Sequence, residues 1–511
     1  MRTGRAGQER TPPPGPHRRL EIHSLGRYDH PGPRLLAGSG DRRGDARPAD
    51  SQVRTDRGGQ GNRRHLQAGC LRRRRRRHRR LHRGRSRGGR PPRGEGDGRI
   101  HEGQVISTRS VDPVRRPVGA ALAFTLPRYT GPVPPADPSP AAVARWLKEA
   151  ARSRGFDLAG ITTPDPPPHL EVYAAWLRAG RHGEMGYLAT ERALAARADP
   201  RRLLPECRNV LVLGANYAPQ REPMQAPARV AAYARGDDYH QVLAARARAL
   251  LDDLRSSFGA GIAGRVYTDT GPLLERELAQ RAGLGWIGRN TCLIHPRLGS
   301  MILLVEVLLG IDLPADEPFA ADRCGVCRRC LAACPTGCIL PDRTLDATRC
   351  ISYLTIEGRG AIPDALRGSV GDWLFGCDVC QSVCPWNVRF GQPTSDTAFA
   401  PRPGLGAPDP ADWLALSQQE FSARLRGSPL KRARRDGMAR NAAVVAGNLR
   451  RPADVPALAV ALLEDPSPTV RAHAAWALGC IGNEPARNWL RQALALEVEL
   501  DVHAEISAAL S

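Results

Sequence analysis

The chain carries two cysteine runs, CGVCRRCLAACP at residues 324–335 and CDVCQSVCP at residues 377–385. The first run has the C-x2-C-x2-C-x3-C-P spacing, in which three thiolates ligate one [4Fe-4S] cluster and the fourth ligates a second cluster. The second run repeats the pattern without its leading cysteine. One complete run therefore predicts two clusters.

An eighth ligand is needed if both clusters are to be complete, and Cys350, between the two runs, is the candidate. The most economical pairing is Cys324, Cys327, Cys330 and Cys384 for one cluster and Cys334, Cys350, Cys377 and Cys380 for the other. Zinc binding or a disulfide framework is the alternative for paired C-x2-C motifs. Zinc sites rarely use three cysteines at successive two-residue gaps together with Cys-Pro, so clusters are favoured. Cys338 is a ninth cysteine and is expected to be a bystander.

The basic charge of the 511-residue chain is concentrated at its N-terminal end. Residues 1–137 contain 32 Arg, no Lys and 12 acidic residues, whereas residues 138–511 carry 43 basic and 40 acidic residues. The first segment is rich in Gly and Pro and has no sustained apolar period, so it cannot bury enough surface to offset the entropy of ordering. It is predicted to be a disordered arm that binds nucleic acid or, the reading we favour, a spurious extension upstream of the true start.

Hydropathy gives no indication of a membrane protein. No run of 18 apolar residues and no signal peptide is visible in the sequence. A cytoplasmic location is therefore predicted, where thiols stay reduced and clusters can be assembled.

Residues 138–315 alternate between helical and extended patterns, which predicts an α+β layer. Helices are predicted over 142–151 and 242–254, and strands over 156–162, 208–214, 264–267 and 300–309. Asp269 follows the third strand and precedes a predicted helix, where an aspartate is a good N-cap. A capping role and a chemical role for Asp269 both stay open. The glycine-rich loop at 283–290 is not a phosphate-binding loop.

The C-terminal part changes to an Ala-, Leu- and Arg-rich composition. The segment 440–448 is echoed 31 residues later by 471–479, which predicts a short HEAT-like helical solenoid. So few repeats cannot stand alone, and they are expected to dock on the cluster domain. A basic stretch at 428–435 is either a solvated helix end or a contact for phosphate.

Two clusters imply that single electrons are relayed, and residues 138–315 are expected to form the site that receives them. Several motifs, taken together, resemble the epoxyqueuosine reductase family. They are DTGP at 269–272 with Glu275-Arg276, GLGWIG at 283–288, both cysteine runs, CISYLTIE at 350–357, and SPLKR at 428–432 with Arg440-Asn441-Ala442. The resemblance extends from about residue 141 to the C-terminus.

The resemblance implies a cobalamin-dependent oxidoreductase that converts epoxyqueuosine to queuosine at the wobble position of tRNA with a GUN anticodon. Electrons would pass through two [4Fe-4S] clusters to cobalamin, and Asp269 would donate the proton. Cobalamin contacts would be Arg197, Asp269, Ser352 and Arg359, with no histidine beneath the cobalt, because Leu243 replaces the glycine of a D-x-H-x-x-G motif. Lys431 and Arg432 would bind tRNA.

The same resemblance implies four segments. These are an extension at 1–137, a nitroreductase-like cobalamin domain at 138–315, a ferredoxin-like domain at 316–395 and helical repeats at 396–511. A flavodoxin or ferredoxin would supply electrons to a monomeric enzyme. The alternatives are a corrinoid reductive dehalogenase and a non-catalytic two-cluster electron carrier. Neither accounts for both the repeat module and the large domain before the cysteines.

Overall fold

The computed structural model describes residues 131–220 and 226–511. The predictions for residues 1–130, including their disorder or spurious origin, lie outside these residues. No helix in the described ranges is long and apolar enough to span a lipid bilayer.

The first part of the described chain is a sheet flanked by helices. Its helices are α1 (Pro140–Ser153), α2 (Leu170–Arg178), α3 (Glu191–Ala198), α4 (Tyr239–Phe258) and α5 (Glu275–Arg281). Its strands are β1 (Leu158–Thr162), β2 (Asn209–Asn216), β3 (Arg229–Val230), β4 (Gly264–Tyr267), β5 (Trp286–Ile287), β6 (Leu293–Ile294) and β7 (Ile302–Leu309).

An antiparallel sheet with the strand order β1-β2-β7-β4 organises this part. Successive side chains of a strand point to opposite faces. Leu211 and Leu213 of β2 accordingly join a core with α1 and α4, whereas Val210 and Val212 join a second core with α5. Because both faces are covered, β2 is buried along its whole length. The predicted α+β layer is confirmed.

The cysteine-rich part consists of loops and short elements. These are α6 (Arg329–Ala333), α7 (Ile351–Ile356), α8 (Asp364–Val370), β8 (Trp373–Phe375), α9 (Val379–Ser382) and α10 (Pro385–Phe390). Strand β8 pairs in parallel with β3 of the preceding part. Arg229 and Asp372 join the same two segments through a bidentate ion pair, with N–O distances of 2.8 and 2.6 Å.

The C-terminal part is helical. It contains α11 (Pro410–Leu414), α12 (Gln418–Arg424), α13 (Arg434–Leu449), α14 (Val455–Glu464), α15 (Pro468–Ile481), α16 (Glu484–Leu494) and α17 (Leu500–Leu510). The two echoed segments fall on α13 and α15, which pack against each other around one large apolar core. The predicted HEAT-like repeats are confirmed.

Helix α13 joins the repeats to the cysteine-rich part through buried polar side chains. The Arg440 guanidinium, 1% exposed, donates to the carbonyls of Leu354, Gly358 and Gly360 at 2.6–2.8 Å. Asn441 donates to the carbonyl oxygens of Thr355 and Leu374. The repeats therefore dock on the segment that carries the cysteines, as expected.

Candidate active site and cluster-binding loops

The first cysteine group surrounds a cavity. Cys324, Cys327, Cys330 and Cys384 all line one cavity of about 270 Å³ beside α10. Trp286 is 2% exposed, and its indole N–H donates to the Cys324 sulfur at 3.4 Å. Four thiols around one cavity, with an N–H donor to one sulfur, fit a [4Fe-4S] cluster.

Contacts link members of the second predicted group, Cys334, Cys350, Cys377 and Cys380, in part directly and in part through Cys338. Cys377 lies within electrostatic range of Cys334 and Cys380. Cys338, expected to be a bystander, is 2% exposed and its sulfur lies 3.4 Å from that of Cys334. It also contacts Cys350, so it packs against this group.

A single metal ion fits these loops less well than clusters do. In the described ranges, no three His, Cys, Asp or Glu side chains converge closely enough to hold one ion. The cysteines instead surround a space, which a cubane requires and a tetrahedral zinc ion does not.

Asp269 follows β4 and is held by two side chains of α4. Its Oδ2 accepts from the Tyr239 hydroxyl at 2.7 Å and lies 3.3 Å from His240 Nε2. The other ring nitrogen of His240 lies 2.7 Å from Asp238 Oδ1. Asp269 adopts a φ of 57° and its side chain is 59% exposed. The carboxylate is thus fixed at one oxygen while still open on one side.

The possible capping role of Asp269 is wrong. Helix α5 begins at Glu275, its N-cap position is Leu274, and no side chain caps it. The backbone N–H of Asp269 instead donates to Glu275 Oε1 at 2.8 Å. Because α5 starts later than the Gly-Pro signal suggested, the aspartate lies outside the helix and its carboxylate is available for chemistry.

The pKa values of this pair place a proton on the histidine. Burial lowers the pKa of His240, but hydrogen bonds to Asp238 and Asp269 outweigh burial and raise it to about 9. Burial raises the pKa of Asp269, but hydrogen bonds from His240 and Tyr239 and the charge of Arg276 leave it lowered. Near neutral pH the pair is therefore an imidazolium and a carboxylate.

Two further carboxyl groups, those of the partly buried Glu275 and the fully buried Glu306, lie close to Asp269. Glu306 of β7 is 0% exposed, and neither of its oxygens has a hydrogen-bond donor in the described residues. Its carboxyl group contacts that of Glu275. Burial and the Asp269 charge raise the pKa of Glu275 to about 7, and burial and Glu275 raise that of Glu306 well above its ordinary value. Two carboxyl groups in contact can bond only if one holds a proton.

The predicted cobalamin contacts other than Asp269 lie on different segments of the chain. Arg197 is buried on α3, its guanidinium lies 5.2 Å from the Tyr173 ring centroid, and it is within electrostatic range of Glu275. Ser352 lies on α7. Arg359 donates through its backbone N–H to Glu184 and through its guanidinium to the Arg432 carbonyl, both at 3.0 Å.

The two predicted tRNA contacts have different surroundings. Arg432 makes a bidentate ion pair with Glu357 at 2.9 Å and lies over the Tyr187 ring at 5.7 Å. Tyr187 is 53% exposed and within electrostatic range of both Arg432 and Asp269. Lys431 is exposed. The exposed face near Asp269 therefore continues to the basic stretch.

Sequence reasoning missed several residues around Asp269. Tyr239 and His240 were noted only as an incomplete cobalamin motif, and Glu306 only as part of a buried strand. A signal for Glu306 was present, since it is the single charged residue in the otherwise apolar segment 301–309.

Comparison with known proteins gives matches to three family models. These are "Epoxyqueuosine reductase QueG, DUF1730" at residues 197–270, "4Fe-4S double cluster binding domain" at 323–387 and "HEAT repeats" at 430–511. The Pseudomonas aeruginosa epoxyqueuosine reductase is 40% identical over 349 residues, which cover 67% of this chain and 95% of that protein. The Escherichia coli K12 protein is 37% identical, covering 66% and 89% respectively.

Solved structures give the same relationship. An epoxyqueuosine reductase bound to an epoxyqueuosine-modified tRNA stem loop matches with a TM-score of 0.67 and 30% identity, covering 72% of this chain and 97% of the other. A Bacillus subtilis structure, described as having its catalytic aspartate loop swung out of the active site, matches with a TM-score of 0.66 and 30% identity at the same coverage.

Proposed function

This chain belongs to the epoxyqueuosine reductase family, and we propose that it reduces epoxyqueuosine to queuosine at the wobble position of tRNA, with Asp269 as the proton donor. The observation that carries the proposal is the carboxylate of Asp269, open on one side and hydrogen-bonded on the other by Tyr239 and a protonated His240. The tRNA stem loop bound to a relative supports tRNA as the substrate. The B. subtilis structure supports an aspartate on a catalytic loop.

Enzymes of this family depend on cobalamin and two [4Fe-4S] clusters. When bound, the clusters supply single electrons to the corrinoid, whose reduced cobalt supplies the reducing centre. The first cluster would be held by Cys324, Cys327, Cys330 and Cys384, and the second by Cys334, Cys350, Cys377 and Cys380. Arg197, Asp269, Ser352 and Arg359 would hold the corrinoid. Both ring nitrogens of His240 are engaged by aspartates, so this histidine would not be free to bind a metal.

Opening and removing the epoxide oxygen as water consumes two electrons and two protons. Because Asp269 is ionised at rest, it first takes a proton from His240, which lies 3.3 Å from its Oδ2, and as a carboxylic acid it then gives a proton to the epoxide oxygen as the carbon–oxygen bond breaks. Tyr239 donates to the same Oδ2 and so fixes the orientation of the carboxyl group.

The raised pKa of His240 sets the pH range for this relay. His240 carries its proton below about pH 9 and loses it as the pH rises through that value. Turnover is therefore expected to fall above about pH 9, before any effect on cluster content.

The remaining assignments belong to the same proposal. Residues 138–315 would form the catalytic domain, 316–395 the cluster domain and 396–511 the tRNA-binding repeats, with Lys431 and Arg432 contacting the anticodon stem loop of a GUN tRNA. A flavodoxin or ferredoxin would supply the electrons, and the enzyme would act as a cytoplasmic monomer.

The test is mass analysis of tRNA nucleosides from a strain that lacks the enzyme. Complementation with the full chain, and with a chain lacking residues 1–137, is expected to restore queuosine. Asp269→Asn is expected to lower its formation by about 100-fold or more, since positioned acids contribute about 10²–10⁴-fold.

The matched control is Asp252→Asn, because Asp252 is exposed on α4 and pairs only with Arg255. Iron content and affinity for the tRNA stem loop are measured for both variants and should equal those of the wild type. Full queuosine formation by Asp269→Asn would exclude Asp269 as the proton donor.

A further inference from the structure

The mouth of the first cysteine cavity is strongly basic. Arg289, Arg323, Arg329 and Arg389 line it together with the four cysteines, and no acidic residue does. Arg323, Arg329 and Arg389 are exposed. In residues 131–220 and 226–511 none of these four arginines forms an ion pair with a carboxylate. Asp322, which is paired with Arg343, lies within electrostatic range of Arg289, so the surface keeps a net positive charge.

Apolar side chains lie exposed beside these arginines. Val326, between the first two cysteines, is 97% exposed, and Phe390 at the end of α10 is 38% exposed. Apolar contacts surrounded by arginine are typical of protein interfaces, where arginine and aromatic residues are enriched and lysine is depleted.

The loop that carries Cys324 and Cys327 of the first group is exposed, although Cys384 of the same group is buried. Residues 321–329 are exposed except for Cys324 and Cys327. In the second group, Cys377 packs against the core that contains Ile351 and Trp373, and the neighbouring Asp378 is 5% exposed. An electron donor that cannot enter the protein can therefore approach the first group most closely.

We propose that this surface, the arginine rim (Arg289, Arg323, Arg329 and Arg389 with Val326 and Phe390), is the docking site for a small acidic protein that carries single electrons. The inference rests on the proposed function, in which two clusters supply electrons to the corrinoid, and it names the first cluster as the one that receives them from the carrier. At each encounter the carrier loses one electron and the cluster gains it, without transfer of atoms. Two encounters supply the two electrons that one epoxide consumes.

Charge selects the class of partner. An uncompensated basic surface attracts an acidic protein over a distance and orients it, which raises the association rate at low salt. The tRNA phosphates are the competing polyanion. The basic stretch proposed for tRNA, Lys431 and Arg432, lies on the 3₁₀ helix Pro429–Ala433, which packs against α7 and α13 and shares no residue with the arginine rim.

The test compares two triple charge reversals in the anaerobically reconstituted full chain. The rim variant is Arg323→Glu, Arg329→Glu and Arg389→Glu. The control is Arg145→Glu, Arg152→Glu and Arg248→Glu, which changes the net charge equally at exposed positions on α1 and α4. Flavodoxin is the probe: its oxidised form is used for binding and its reduced form for the rate of cluster reduction, at low and high salt and without tRNA.

The rim variant is expected to lower the rate of reduction by flavodoxin about tenfold or more at low salt, with little remaining salt dependence. The control should differ from the wild type by about twofold at most, since distant charges are screened. Photoreduced deazariboflavin, which is uncharged, should reduce all three proteins equally.

Three results would overturn the proposal. The first is that flavodoxin reduces the rim variant and the control variant at equal rates. The second is that the rim variant is reduced more slowly by deazariboflavin as well, which would mean that the arginines affect the cluster itself. The third is that the rim variant binds the tRNA stem loop more weakly while flavodoxin still reduces it at the wild-type rate, which would assign the surface to RNA. If the triple variant lacks iron, Arg329→Glu and Arg329→Gln carry the same comparison. The reduction assay contains no tRNA, so its result can be interpreted even if the enzyme does not form queuosine.

Discussion

At the scale of single residues, Glu306 requires a proton in order to be buried. It lies on β7 with no donor to either oxygen in the described residues, and it faces Glu275 of α5 and Asp269 of the loop after β4. Burying an unpaired carboxylate costs several kcal/mol, whereas burying a protonated one that bonds to its neighbour costs much less. Burial therefore favours the protonated form of Glu306 in the folded protein.

We predict that Glu306→Gln stabilises the protein more as the pH rises. In the unfolded chain Glu306 is ionised above about pH 4.5. Because its pKa is raised in the folded protein, folding must protonate it, and this step costs about 1.4 kcal/mol more for each further pH unit, up to the pKa of the folded state. Glutamine keeps a donor for Glu275 and removes this cost. The apparent unfolding temperature of the variant should exceed that of the wild type by a few degrees at about pH 8 and by little at about pH 5.

The control is Glu149→Gln on the exposed side of α1, which should change the unfolding temperature equally at both pH values. A gap between Glu306→Gln and the wild type that is the same at both pH values would mean that Glu306 is ionised in the folded protein.

At the scale of residues, prediction from the sequence depended on motifs. Asp269 was found because it belongs to a family motif, whereas its partner His240 is 29 residues away and reaches it only after β4 and α4 come together. The contact between Glu275 and Glu306 likewise depends on α5 crossing β7. No local pattern encodes such contacts, although the lone acid of β7 was a visible anomaly.

At the scale of elements, α13 connects the repeats to the cysteine-rich part. Arg440 donates to three backbone carbonyls of the segment 354–360, and these carbonyls are otherwise at the end of α7 or in the loop after it. Burial lowers the pKa of Arg440 to about 10, so it stays charged at neutral pH. A charged donor to several carbonyls is stronger than a neutral one.

We predict that Arg440→Leu destabilises this junction by about 3–5 kcal/mol, because it leaves several buried carbonyls without a donor. Limited proteolysis should then cleave the loop after α7 sooner, and the apparent unfolding temperature should fall. The control is Arg491→Leu, whose exposed ion pair with Glu484 is worth about 0–1 kcal/mol. If both variants resist proteolysis equally, the apolar contacts of α13 are enough to hold the junction together without Arg440.

Long elements were predicted and short ones were not. The amphipathic helix predicted over 142–151 spans Pro140–Ser153, and the strand predicted over 264–267 is Gly264–Tyr267. The two-residue strands Trp286–Ile287 and Leu293–Ile294 were missed because a periodic pattern needs more residues than they contain. The short helices around the cysteines depend on tertiary contacts for the same reason.

At the scale of the whole molecule, the loops around the first cysteine group have little core of their own. In the described part of the chain the buried apolar cluster there consists of Trp286, Ile294 and Cys384, whereas the sheet and the repeats each have a large one. The exposed loop at 321–329 has no regular structure before α6. Bound clusters therefore contribute much of the free energy that orders these loops, as metals do in small domains.

We predict that removal of iron with an oxidant and a chelator unfolds the cysteine loops selectively. Hydrogen exchange should increase about 100-fold or more in residues 320–335, since local opening there no longer breaks iron–sulfur bonds. Exchange in β2 and β7 should change little, because both strands are covered on two faces by apolar side chains that touch no cluster ligand. Reconstitution with iron and sulfide should restore protection. If the loops exchange equally slowly with and without iron, protein contacts alone hold the cysteines in place, and the clusters occupy a preformed site.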